Sequence, residues 1–128
     1  MSFYIAKTVR VPFDKAIEKV TGALKEEGFG VLTDIDVRAT LKTKLGVEWQ
    51  PYRILGACNP QLAHRALLTE DKIGVMLPCN VIVQQRADGD VEVAAIDPTA
   101  SMQGVGKPAL SDLAETVRNK LSAVLARL

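Results

Sequence analysis

A chain of 128 residues, 48% hydrophobic and 24% charged, has the size and balance of one compact domain spanning residues 1–128, with no room for a second. Sixteen Lys and Arg against 15 Asp and Glu leave a net charge of +1, which creates no overall field to draw in nucleic acid or an anionic membrane surface. No apolar run approaches the ~18 residues of a membrane span, no basic region with a long apolar stretch opens the chain, and two cysteines are too few for a disulfide scaffold. The expectation is a soluble, cytoplasmic protein with reduced thiols and with neither nucleic acid nor membrane among its partners.

The first element is a strand over residues 3–9, rich in strand formers. Apolar residues at Phe13, Ile17, Val20 and Leu24 then follow helical spacing, and Gly28 and Gly30 stand where such a helix stops in a left-handed turn. A second strand is expected over 31–35. Residues 37–45 carry Leu41 and Leu45 on one side and Arg38 and Lys42 on another, the pattern of a short helix ended by Gly46. A compact strand over 52–57 leads to Asn59-Pro60, where Asn can accept from orphan amides and Pro fits the first turn, so a helix is expected over 60–68. The apolar residues of 73–77 suit either a short strand or a buried turn.

Two strand-like runs, 80–87 and 90–96, flank Asp88-Gly89, a hairpin signal. A two-residue loop there would pair Ala87 with Asp90, setting Asn80 opposite Asp97 and Cys79 opposite Pro98. From Pro108 onward Leu110, Leu113, Ala114, Val117, Leu121, Val124, Leu125 and Leu128 keep a regular helical stripe, with Asp112 and Glu115 near its start and Arg127 near its end as the helix dipole prefers. The fold class is therefore α+β: a mostly antiparallel sheet with a hairpin, helices packed on it in two layers, and a closing amphipathic C-terminal helix.

The dipeptide Cys-Asn occurs twice, in Gly56-Ala57-Cys58-Asn59-Pro60 and in Leu77-Pro78-Cys79-Asn80-Val81. Together with Tyr52-Arg53-Ile54-Leu55, a strand ending Ala95-Ile96-Asp97-Pro98 and the closing helix, these motifs resemble the domain of unknown function 302 family over essentially the whole chain. The resemblance implies an α+β fold in small, usually prokaryotic proteins, with a homodimer as the expected assembly, and it implies no reaction. The positions it carries over are Lys42, Cys58, Asn59, Pro60, Cys79, Asn80 and Asp97. Edge strands of a small sheet that need covering also favour a homodimer.

The cysteines admit three readings: small buried hydrophobes, a reactive or disulfide-forming thiol pair, or metal ligands. Cys58 precedes a helix N-terminus, where a thiolate is stabilised; a metal site would need His64 and carboxylates, because the cysteines lie 21 positions apart with no CxxC. His64, the single histidine, falls on the polar side of its helix and reads as solvent-facing. No Ser-His-Asp order, nucleophile elbow, phosphate loop or dinucleotide fingerprint is present, and Gly104-Val105-Gly106 lacks the third glycine and the preceding strand. Enzyme class and cofactor are thus unassigned, and no metal is expected.

Arg38 and Lys42 suit either an anionic ligand or a solvated basic face, Trp49 and Tyr52 either a pocket or core, and Asp97 either a ligand contact or a turn hydrogen bond. The leading expectation is a domain that binds a small molecule near the two Cys-Asn motifs, through Lys42, Cys58, Asn59, Cys79, Asn80 and Asp97, in one pocket lined by Ile54, Val81 and Ile96. The alternatives are a thiol-dependent redox or catalytic protein using Cys58 and Cys79, and a dimeric protein-interaction module.

Overall fold

The computed structural model describes residues 2–128; Met1, the first residue of the expected domain, lies outside them. In chain order the elements are β1 (Tyr4–Val9), α1 (Phe13–Glu26), β2 (Gly30–Asp36), α2 (Val37–Leu45), β3 (Tyr52–Cys58), α3 (Pro60–Thr69), a 3₁₀ stretch (Asp71–Met76), β4 (Cys79–Gln85), β5 (Val91–Ile96), α4 (Pro98–Met102) and α5 (Pro108–Ala126). The strands form one sheet in the order β1-β5-β4-β3-β2, antiparallel at every pairing. The chain is therefore an α+β domain. Of residues 73–77, which admitted a strand or a turn, 73–76 belong to the 3₁₀ stretch and Leu77 caps its end in extended conformation, and α4 is an element that periodicity does not reveal because it is only five residues long.

Helix limits follow local chemistry. The Asp36 side chain accepts from Ala39 N at 2.9 Å to start α2, and Gly46, with φ 67°, ends it in the left-handed conformation that lacks a Cβ penalty. Lys7 Nζ donates to the Leu125 carbonyl at 3.3 Å, placing a cation at the C-terminus of α5, where the helix dipole favours it.

Strand alternation builds the core. On the inward face Val81, Val83 and Val93 are fully buried, flanked by Leu55, Ala57, Val91 and Ala95. Helix α1 packs on them through Ala16, Val20 and Leu24, and α5 through Leu121, Val124 and Leu125. Each such Val or Leu contributes about 1.5–3 kcal/mol through burial. A smaller cluster of Ala66, Ile73 and Leu110, with Leu77, Met102 and Leu113 against it, lies beside the main one.

The hairpin differs from the two-residue reading. Arg86 N donates to Asp90 O at 2.8 Å, Gly89 N donates to Arg86 O at 2.9 Å, and Gly89 has φ 90°, so residues 87–89 form a three-residue loop with glycine at the left-handed position. The Asp88 carboxylate accepts from Asp90 N and completes the turn. The pairing is consequently Gln85 with Val91 and Val81 with Ala95, one residue away from expectation. Continuing that register sets Asn80 opposite Ile96, not Asp97. Because side chains alternate with period two, Asn80 points to the sheet face away from α1 and α5.

Candidate functional site

The two Cys-Asn corners lie side by side. Ala57 pairs with Cys79 and Gly56 with Asn80 across β3 and β4. A Cβ at Gly56 would collide with Thr33 Oγ1 and would meet Pro78 Cγ at 2.8 Å, so glycine is required for Pro78, in the cis Leu77–Pro78 unit, to sit over the first corner. The Asn59 side chain accepts from Leu62 N at 3.2 Å and caps α3. Its Nδ2 stands 3.0 Å from where a Cβ on Gly28 would be, and Gly28 also has φ 85°, so that glycine serves both the α1 exit and the close approach of the cap. Replacing Asn59 by alanine is expected to lower stability by about 1 kcal/mol, measured as a shift of the denaturation midpoint.

Beneath these corners the structure has a partly open cavity of about 50 Å³ between the sheet end, α3, α4 and α5. Cys58, Asn59 and Cys79 all border it, together with Phe29, Leu77 and Met102. The N-terminal half of α5 supplies Leu110, Leu113, Ala114 and Val117, so one helix stripe serves the cavity at one end and the main core at the other. The void exists because the facing positions Ala57, Ala63, Ala66 and Ala114 are small; no lining residue carries a full charge.

Desolvation pushes the Cys79 thiol up to about 11, and proximity to Cys58 adds to the effect. Cys79 therefore stays a protonated thiol at neutral pH, and the side chain behaves as a small apolar group. Both cysteines are free thiols. Among the described residues no cluster of three or more His, Cys, Asp or Glu is placed to hold a metal ion.

The other expected site residues stand elsewhere. Lys42 is exposed on α2 and paired with Glu48 at 2.5 Å, away from the cavity lining. Asn80 lines a shallow depression on the opposite sheet face with Tyr4, Tyr52 and Ile96. Asp97, buried to 6% exposure, accepts from Thr99 N at 3.0 Å and from Arg118 Nε at 3.0 Å, starting α4 and holding α5 to it. Burial alone would raise its carboxyl, but the hydrogen bonds from Thr99 and Arg118 bring it below the usual carboxylate range. Of the expected pocket walls, Val81 is core, while Ile54 and Ile96 do not border the cavity. His64 is exposed, and Trp49 keeps 49% exposure, neither core nor cavity wall.

Phe29, Met102 and the N-terminal half of α5 complete the lining and were not singled out by motif. The signal available for them was the α5 stripe, whose length exceeds what one sheet can cover. No helix among the described residues is long and apolar enough to cross a membrane.

Comparison with known proteins agrees with this architecture. The family model of the domain of unknown function DUF302 matches residues 5–128. A crystal structure of an uncharacterized conserved DUF302 protein from Bacillus stearothermophilus superposes with a TM-score of 0.93 at 34% identity, covering 99% of this chain and 98% of that one. Among curated proteins none matches. By both the family match across nearly its whole length and the shared fold, the chain belongs to the DUF302 family.

Proposed function

We propose that this chain is a binding module for a small, uncharged, apolar molecule held in the cavity beneath the two Cys-Asn corners. The observation that carries the reading is a void kept open by four alanines in an otherwise close-packed interface. A gap of this size costs about 1 kcal/mol at ~24 cal/mol per Å³, a destabilisation that larger side chains at those positions would remove. An occupant would restore the missing dispersion contacts. The lining offers no Lys or Arg, which argues against the anionic ligand that Lys42 and Arg38 suggested. The cavity is about a third of the ~150 Å³ that accommodates benzene in an engineered core, so the occupant is compact or the walls move apart to admit it.

Xenon and benzene are suitable probes. Saturating either is expected to raise the thermal midpoint of the wild type and to shift the amide resonances of Cys79, Ala66 and Leu113, while Ala66→Leu, which fills the void, abolishes both effects. No shift at those amides with either probe would overturn the reading. A Cys58→Ala, Cys79→Ala variant should retain uptake because the apolar wall persists; loss of uptake would favour the thiol-dependent alternative.

A further inference from the structure

We propose that the sheet face turned away from α1 and α5 carries a second binding site, for a neutral planar heterocycle of the nucleobase type. The inference does not rest on the cavity. Phe3, Tyr4, Tyr52, Asn80 and Ala94 are among the residues around a depression of about 450 Å³ on this face. That volume falls inside the ~300–1,000 Å³ range of small-molecule sites, and the lining has their composition, apolar and aromatic side chains with a few polar groups among them.

The register explains the depression. Reading across the sheet, one row runs Ala6, Ala94, Ile82, Ile54, Ile35. Alanine is a poor strand former, so strand propensity does not account for the two alanines; their effect is to lower the floor on the β1–β5 half beside the larger isoleucines. In the next row Tyr4, Ile96 and Asn80 follow one another on β1, β5 and β4. With strands about 4.8 Å apart, Tyr4 and Asn80 stand roughly 10 Å apart at the backbone. A flat ring lying over Ala94 and Ile96 therefore meets an aromatic side chain at one edge and an amide at the other. Phe3 packs edge-to-face on Tyr4 with ring centroids 5.0 Å apart, which steadies the aromatic wall.

The polar groups of the lining select the ligand class. Gln50 Nε2 donates to Gln84 Oε1 at 2.6 Å, Gln84 Nε2 donates to Glu92 Oε1 at 2.9 Å, and Arg86 donates to Glu92 Oε2 at 2.6 Å. The charged residues of the lining, Arg86 and Glu92, thus neutralise each other, which favours an uncharged ligand. Of the amide and charged side chains there, Asn80 alone makes no hydrogen bond among the described residues, and it is exposed. Its amide presents a donor beside an acceptor, the pair that matches the N6/N7 edge of adenine. A free base or nucleoside fits better than a nucleic-acid strand, because a strand needs cations for its phosphates and Arg86 is already engaged.

The test is titration of the full chain with adenosine, followed by amide resonances. Saturable shifts are expected at Tyr4, Ile82 and Ala94 and none at Ala66 and Leu113, which border the cavity, so the two sites stand or fall separately. Asn80→Ala should weaken binding about 5- to 150-fold, the range of one bidentate base contact, and nebularine, the same nucleoside without the 6-amino group, should bind the wild type more weakly than adenosine by a similar factor. Ala94→Ile fills the floor with a good strand former and should abolish the shifts while leaving the far-ultraviolet circular dichroism spectrum unchanged. No saturable shift with adenosine would overturn the proposal, and so would unchanged affinity in either variant or for nebularine. A deca-adenylate strand binding more than about a hundredfold tighter than adenosine would overturn it as well, by showing that the face recognises phosphates.

Discussion

Replacing Leu121 by alanine is expected to destabilise the fold by about 2–5 kcal/mol, one of the largest single-residue effects in the chain. Leu121 is fully buried in α5 and belongs to the same core cluster as Val20 and Leu24 of α1 and the valines of the central strands. The removed side chain cannot be replaced by its neighbours, because α1 and the sheet meet α5 from both sides and the interior is packed to crystal-like density. The loss therefore has two parts, the transfer free energy of the missing atoms and the cavity left behind. A denaturant midpoint shift at constant slope, measured at fixed protein concentration, checks it. An unchanged midpoint would mean that this part of the stripe carries no packing. The same substitution at Leu113, half-buried beside the existing void, should have a smaller effect, since a residue that already borders empty space has fewer contacts to lose.

The contrast between these two leucines shows how far the sequence could be read. The helical stripe from Leu110 to Leu128 was visible as one continuous pattern, and so were the strands, because both rest on local periodicity. What periodicity lacks is the partner of each turn of the stripe: Leu121 finds the sheet, whereas Leu113 finds α3 and a cavity. The cap at Asn59 was equally legible, since Asn-Pro states its own local geometry, whereas at Asp97 a turn hydrogen bond was one of two readings and the helix that it starts was not expected. The register of the hairpin was not legible. Asp88-Gly89 signals a turn, but a two-residue loop and a three-residue loop with glycine in the left-handed position share that dipeptide, and the choice between them decides which face Asn80 occupies. One residue of loop length thereby separated Asn80 from Asp97 and divided the expected single site into a cavity, an open sheet face and a capped helix junction. Lys42 was misplaced for a different reason: α2 leaves the end of β2 and returns to β3, and nothing in its own charge pattern says that Glu48 lies within reach.

Removing the Asp97 carboxylate should be the second large effect. Asp97→Ala is expected to lower stability by about 2–3 kcal/mol at neutral pH, the scale of a hydrogen bond to a charged group together with a lost helix cap. The partners lost are Thr99 N, Thr99 Oγ1 and Arg118 Nε, while the side chain of Arg118, 42% exposed, stays hydrated and spares the fold the larger penalty of a stranded buried charge. The pH dependence has a defined sign. The folded carboxyl titrates below its ordinary value, so its contribution is fully present above the unfolded carboxylate pKa of about 3.9 and is lost as pH falls through the lower folded value. Asp34, held down chiefly by its hydrogen bond from Arg53 against the opposing effect of burial, acts in the same direction, though its greater exposure weakens the contribution. Wild-type denaturation midpoints measured from pH 6 downward should therefore fall most steeply below about pH 4. Asp97→Asn keeps an acceptor for Thr99 but cannot titrate, so it should begin less stable at neutral pH and show a shallower acid slope. Parallel curves for the two proteins would mean that the carboxylate at the α4–α5 junction contributes through shape alone.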